Sequence, residues 1–244
     1  MKKRHMLVVS HTGRPESLDA AATVCRMLIA DDVVPVVPVE DCEEVLAHAG
    51  ELAIETLDAG ASSDGVGLDE LELVIVLGGD GTILRAAELA RGSAAPLLGI
   101  NLGHVGFLAE AEKDSLEESV RRALDRDYEV EERMTLAVRV KVDAEVVYET
   151  WALNEATVEK ASRERMLEVV IEVDGRPLSS FGCDGVVMST PTGSTAYSFS
   201  AGGPIVWPSL DALLLVPLSA HALFARPIVV DPASVFAVEV LDRT

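Results

Sequence analysis

The sequence predicts an α/β first half built on a parallel sheet, followed by a β-rich second half. Two observations carry that prediction. Short apolar runs alternate with helix-like segments as far as about residue 127, the βαβα rhythm of a parallel sheet covered by helices. From residue 128 the apolar spacing changes to period two, the pattern of half-buried strands, and no Pro-rich or low-complexity linker separates the halves. The predicted domains are therefore 1–127 and 128–244. The 244 residues, 49% of them hydrophobic and 25% charged, suffice for one large core or two ordinary ones.

In the first half, residues 7–10 read as a strand, 15–30 as a helix and 33–39 as a strand. Residues 42–59, rich in Ala, Leu and Glu, read as a long helical stretch. A turn-rich interruption at 61–67 precedes the continuous apolar run 73–77, which has the length of a strand buried on both faces. Residues 83–91 read as a helix, 96–101 as another buried strand, and 115–126 as a helix with Leu116, Val120 and Leu124 at spacing four. In the second half, alternation marks strands at 135–142, 145–153 and 167–173. Asp174-Gly175 is a hairpin signal, and further strands are expected at 185–189, 213–216, 227–230 and 235–241, with a short helical stretch after Ser194.

The apolar run Met6 to Val9 is too short for an export signal despite the basic residues before it. Residues 213–230 are broken by Pro217, His221, Arg226 and Pro227, whereas a membrane span needs about twenty nearly uninterrupted apolar residues. The excess of 41 acidic over 20 basic residues, net charge −21, repels bulk nucleic acid and anionic bilayers, so neither is an expected partner. It fits a salt-adapted surface and an ordinary solubilising one alike. Cys25, Cys42 and Cys183 form no CxxC pair and suggest neither a disulfide framework nor a zinc site; reduced thiols in a cytoplasm are expected.

Two segments carry chemistry. Leu77-Gly78-Gly79-Asp80-Gly81-Thr82 lies between a buried strand and a helix, where open α/β sheets bind ligands. Its glycines let the backbone approach a ligand closely, and the following helix offers N–H groups to a phosphate. Asp80 is the odd member, because a carboxylate about 5 Å from a phosphate costs roughly 0.8 kcal/mol even in bulk water. It needs a counterion or a proton to accept; the plainer alternative is an Asp that caps the helix near Ile83. The second segment, 184–204, is a strand running into a loop whose Ser189, Thr190, Thr192, Ser194, Thr195, Tyr197, Ser198 and Ser200 supply neutral donors and acceptors suited to a nucleotide. Asn101-Leu102-Gly103-His104 follows a buried strand, with His104 read as a base or a simple hydrogen-bonding group, and Asn154-Glu155 is expected to end a strand.

In this order the stretches Gly78–Thr82, Asn101–Leu108, Asn154-Glu155 and 184–204 resemble the NAD kinase family, over most of the chain from about Leu7 to Val230. The glycine loop alone is similar to that of diacylglycerol kinases, sphingosine kinases and phosphofructokinases; the Ser-Thr-Pro-Thr-Gly-Ser-Thr-Ala-Tyr run distinguishes among them. The resemblance implies a Rossmann-like α/β domain, a β-rich NAD-binding domain and an active site between them. It implies transfer of the terminal phosphoryl of ATP, or of polyphosphate, to the 2′-hydroxyl of the adenosine ribose of NAD, giving NADP, with Mg²⁺ as the counter-charge.

By the same resemblance Asp80 is the general base, and Gly79, Gly81 and Thr82 complete the phosphate cradle with it. Asn154 and Glu155 would hold nucleotide hydroxyl and base groups. Thr195, Ala196, Tyr197 and Ser200 would line the adenosine pocket, Asp184 would support it, and Arg85 and Arg165 would contact phosphate or ribose. No residue is expected to be a dedicated metal ligand. A homodimer or homotetramer in the cytoplasm is implied. The chain stops at Thr244 in what the resemblance makes a middle strand, so its β-rich domain is expected to be incomplete relative to the family. The alternatives are a lipid or sugar kinase sharing only the glycine loop, and a non-catalytic NAD(P)-binding protein.

Overall fold

The apolar runs of the first half form parallel strands. A computed structural model of the chain describes residues 3–57, 65–102, 111–112, 115–161, 166–221 and 226–241. Two units are present, Met1–Glu131 and Glu132–Thr244.

In the first unit the order is β1 (Arg4–Ser10), α1 (Pro15–Ala30), β2 (Val33–Val37), α2 (Cys42–Ala49), β3 (Glu55–Thr56), β4 (Leu71–Leu77), α3 (Asp80–Leu89), β5 (Leu97–Asn101), β6 (Ala111–Glu112) and α4 (Leu116–Leu124). The strands make one parallel sheet in the order β3-β2-β1-β4-β5-β6. Alternate side chains of its central strands leave by opposite faces. Met6, Val8, Ile75 and Leu77 pack with Leu28 of α1 and Val120 of α4, whereas Leu7, Val9, Val74 and Val76 pack with Ile83 and Ala86 of α3. Helices therefore cover both faces, which is why β4 reads as an unbroken apolar run.

Pro15 opens α1 at a position whose N–H has no helical partner to lose. The long helical stretch expected over 42–59 is corrected: α2 stops at Ala49 because Gly50, at φ +77°, turns the chain out of the helix, and β3 follows. The strand expected at 33–39 ends at Val37, before Pro38. Glu72 of β4 ties three elements together: it accepts from Arg126 and from Arg4, and Arg4 also donates to the carbonyl of Leu124 at the end of α4. The Arg126 bonds first, then those of Arg4, hold the Glu72 carboxyl at about 2.

The second unit comprises β7 (Leu136–Val142), β8 (Glu145–Ala152), β9 (Glu155–Glu159), β10 (Leu167–Val173), β11 (Arg176–Cys183), β12 (Gly185–Ser189), α5 (Tyr197–Ser200), β13 (Leu213–Leu218), β14 (Ile228–Val230) and β15 (Phe236–Val240). Its strands pair antiparallel in sheets ordered β11-β10-β15 and β14-β13-β12-β9, with β7-β8 a separate hairpin. Val169, Ile171, Phe181 and Cys183 of the first sheet share a core with Val186 and Leu215 of the second. Asp174 and Gly175 both have positive φ, as the two-residue hairpin requires. Among the described residues no helix is long and apolar enough to cross a membrane.

Candidate active site

The glycine loop is tighter than its sequence implies. α3 begins at Asp80 with Gly79 as its N-cap, not near Ile83, and the N–H groups of Thr82 and Ile83 both donate to the Gly79 carbonyl. Asp80 thus stands in the first turn of a helix, where the unpaired end of the backbone favours negative charge. Gly78 donates to the carbonyl of Ile100 on β5, and a Cβ there would lie 2.5 Å from Oγ1 of Thr82, so the buried Thr82 side chain occupies space that only glycine leaves. Beside Gly79 and Gly81 a Cβ would meet nothing within 4 Å. Their backbone faces open space.

One turn further along α3, Arg85 enters a clasp. Its Nη1 donates to Asp41 Oδ2 at 2.8 Å and to the Ser10 carbonyl at 3.4 Å, while Nη2 donates to Asp41 Oδ1 and Glu40 Oε1, both at 2.9 Å. The bonds it donates to Asp41, then the one to Glu40, push the guanidinium further up. All the Nη hydrogens are engaged, and Nε–H has no partner among the described residues.

In the second unit, Asn154 and Glu155 occupy the corner between β8 and β9. The structure corrects their expected place: Glu155 opens β9, paired with Ser189, and does not close the preceding strand. Asn154 Oδ1 and Glu155 Oε2 are buried with no hydrogen-bond partner among the described residues. Burial pushes the Glu155 carboxyl up, opposed by the backbone N–H of Tyr197, which it accepts. Buried polar atoms of this kind call for a partner, which a water, an ion or a ligand can supply.

Facing that corner, Thr192–Thr195 forms a 3-10 turn and runs through Ala196 into α5. Ser194 clips the turn, its hydroxyl accepting from Val206 N–H at 2.9 Å and donating to the Val206 carbonyl at 3.2 Å. The Thr195 hydroxyl donates to the Thr192 carbonyl, and the Ser200 N–H to that of Ala196. Tyr197, 39% exposed, hydrogen-bonds Glu159, which raises its phenol. Asp184 is bonded by the Lys160 ammonium, which holds its carboxylate low, with help from the Ser219 hydroxyl. Sequence reasoning missed Asp41, Glu159 and Lys160. Each lies far along the chain from the residue it serves, with no local signal beyond its charge. Arg165, and Gly103 to Leu108 with His104, lie outside the described residues.

The geometry defines a class: an α/β unit with an open glycine turn at the start of a helix, followed in the chain by an antiparallel β unit with two buried polar side-chain atoms at one strand corner. Comparison with known proteins narrows it. Residues 6–128 match the ATP-NAD kinase N-terminal domain and residues 153–244 the ATP-NAD kinase C-terminal domain. The NAD kinase of Leifsonia xyli subsp. xyli is 70% identical over 240 residues, which cover 98% of this chain and 78% of that protein. That of Thermobifida fusca is 55% identical over 246 residues, covering 99% and 74%. The chain belongs to the NAD kinase family.

Among solved structures, yeast NADH kinase complexed with NADH shares the fold, with TM-score 0.84 at 24% identity over 98% of this chain and 73% of that one. An NAD kinase from Archaeoglobus fulgidus in complex with ATP gives TM-score 0.70 at 26% identity, over 97% and 80%. Because both halves match NAD kinase domains, the lipid- or sugar-kinase alternative is set aside.

Proposed function

We propose that this chain transfers the terminal phosphoryl group of ATP to the 2′-hydroxyl of the adenosine ribose of NAD, forming NADP. The observation that carries the reading is the 70% identity with an NAD kinase along nearly the whole chain. Asp80 takes the proton of the attacking hydroxyl, and the open backbone at Gly79 and Gly81, with Thr82, receives phosphate oxygens. The buried Oδ1 of Asn154 and Oε2 of Glu155 accept hydrogen bonds from the nucleotide's hydroxyl and amino groups, which supply the partners those atoms lack. Thr195, Ala196, Tyr197 and Ser200 line the adenosine, and Asp184, fixed by Lys160, supports them. Arg85 contributes through Nε–H, since Asp41, Glu40 and the Ser10 carbonyl engage its Nη groups; Arg165 is the second basic contact.

Magnesium is proposed to arrive on the ATP phosphates and to offset their charge. Magnesium takes phosphate oxygens and water more readily than an all-protein cage. We further propose a homodimer or homotetramer, and a cytoplasmic location in keeping with the free thiols of Cys25, Cys42 and Cys183.

The test is product identification. The chain is mixed with NAD, ATP and Mg²⁺, and NADP is detected with an NADP-specific dehydrogenase. ATP-dependent NADP is the expected result, and its absence from folded protein contradicts the reading. Polyphosphate in place of ATP, and NADH in place of NAD, define donor and acceptor.

A further inference from the structure

Thr190 follows the last ladder pair of β12 and β9, Ser189 with Glu155, and is wholly buried. Its N–H extends the ladder by one bond, to the Asn154 carbonyl at 2.9 Å. Its hydroxyl does something different. Oγ1 donates to the Leu153 carbonyl at 2.6 Å, with the Asn154 carbonyl also near at 3.2 Å, and accepts the buried N–H of Gly193 at 3.0 Å. A hydroxyl has one hydrogen and two lone pairs, so this one atom joins the corner before β9 to the turn after β12.

Gly193 makes the join close. A Cβ on Gly193 would overlap the backbone of Asn154 at its carbonyl oxygen, carbonyl carbon and Cα. The turn therefore rests directly on the Asn154 peptide. The same two segments carry Asn154 Oδ1 and Glu155 Oε2, both buried without partners, and the Tyr197 N–H that reaches the Glu155 carboxylate. The Thr190 hydroxyl adds to the hold of the ladder bond and the Gly193 contact: without it the buried Gly193 N–H loses its bond, and the partly buried Leu153 carbonyl loses one too.

We propose that Thr190 is a positioning residue, whose buried hydroxyl locks the Asn154–Glu155 corner to the Thr192–Thr195 turn and so pre-sets the surface that takes the dinucleotide. It rests on the reading of these two segments as the NAD site. Pre-organisation of this kind shows in affinity, because a loosened site must be re-ordered by the ligand each time it binds.

The full chain is compared with Thr190→Val, which keeps the shape and removes the hydroxyl, and Thr190→Ser, which keeps the hydroxyl. NAD binding is measured by calorimetry, steady-state constants are taken for NAD and ATP separately, and amide exchange is followed at Gly193. Thr190→Val is expected to bind NAD about tenfold more weakly and to raise KM for NAD in step, with KM for ATP changed less than about twofold. Gly193 exchanges faster in that variant, and Thr190→Ser behaves as wild type in every readout.

Three results overturn the proposal. Thr190→Val could bind NAD as wild type does, whatever its melting temperature. Thr190→Val could fail to fold, in which case the hydroxyl serves the fold and not the site. Thr190→Ser could lose affinity as Thr190→Val does, which would credit the methyl group. A folded wild-type chain that binds neither NAD nor NADH is a separate failure, of the dinucleotide reading itself, and the positioning role falls with it.

Discussion

Arg85 donates to both carboxylate oxygens of Asp41, from Nη1 at 2.8 Å and from Nη2 at 2.9 Å, across 44 positions of sequence. The pair joins the helix that follows the glycine loop to the segment after β2. The Asp41 side chain is only 7% exposed and that of Arg85 35%.

Asp41→Asn keeps the size and removes the charge that neutralises Arg85. It should lower stability by about 1–2 kcal/mol, between the values usual for exposed and for buried pairs. Urea unfolding of the two proteins measures this directly, and Glu40→Gln, at the exposed edge of the clasp, should cost less.

Glu72 gives a pH dependence of definite sign. Its carboxyl is held at about 2 in the folded chain against 4.5 as a free side chain. A depressed carboxyl contributes stability that is complete above about pH 4.5 and is lost as pH falls towards 2. Melting temperatures between pH 6 and pH 2 should therefore fall more steeply for wild type than for Glu72→Gln, which lacks the contribution throughout. Because Arg126 is well exposed, added salt should shrink the difference.

Glu155 carries the opposite sign. Its carboxyl is raised by burial, so its charge opposes folding, and the penalty grows as pH rises from about 4.5 through the folded value. Glu155→Gln should raise the melting temperature at pH 7, have no such effect near pH 4, and weaken NAD binding. A stabilised variant with poorer affinity is the signature of a group held for its ligand and not for the fold.

Much of this architecture is written locally. Pro15 starts α1, the unbroken run ending at Leu77 is the doubly covered strand β4, and Asp174-Gly175 supplies the positive φ pair of its hairpin. Gly50 was an equally local stop signal for α2, outweighed in the sequence by the Ala- and Glu-rich composition around it. Other features have no local signature. The turn between β7 and β8 puts Ala144 at φ 69° beside Asp143 at φ 48°, with only the Asp to announce it, and β3 and β6 span two residues each, too few for a period to show.

The glycine loop and the hydroxylated run around Thr195 were visible as segments, but not what fixes them. Asp41 to Arg85, Lys160 to Asp184 and Thr190 to Leu153 are contacts made by tertiary folding between residues whose types alone say only charged or polar. That α3 starts at Asp80, inside a glycine-rich stretch of poor helix propensity, is likewise a decision of the packed unit over the local preference.

The most direct measurement is the turnover of Asp80→Asn set against its affinity for NAD. A base that acts in the phosphoryl-transfer step predicts that kcat falls by roughly a hundredfold to ten-thousandfold, while NAD binds within about twofold of wild type. An Asp80→Asn protein that makes NADP at close to the wild-type rate would contradict the account.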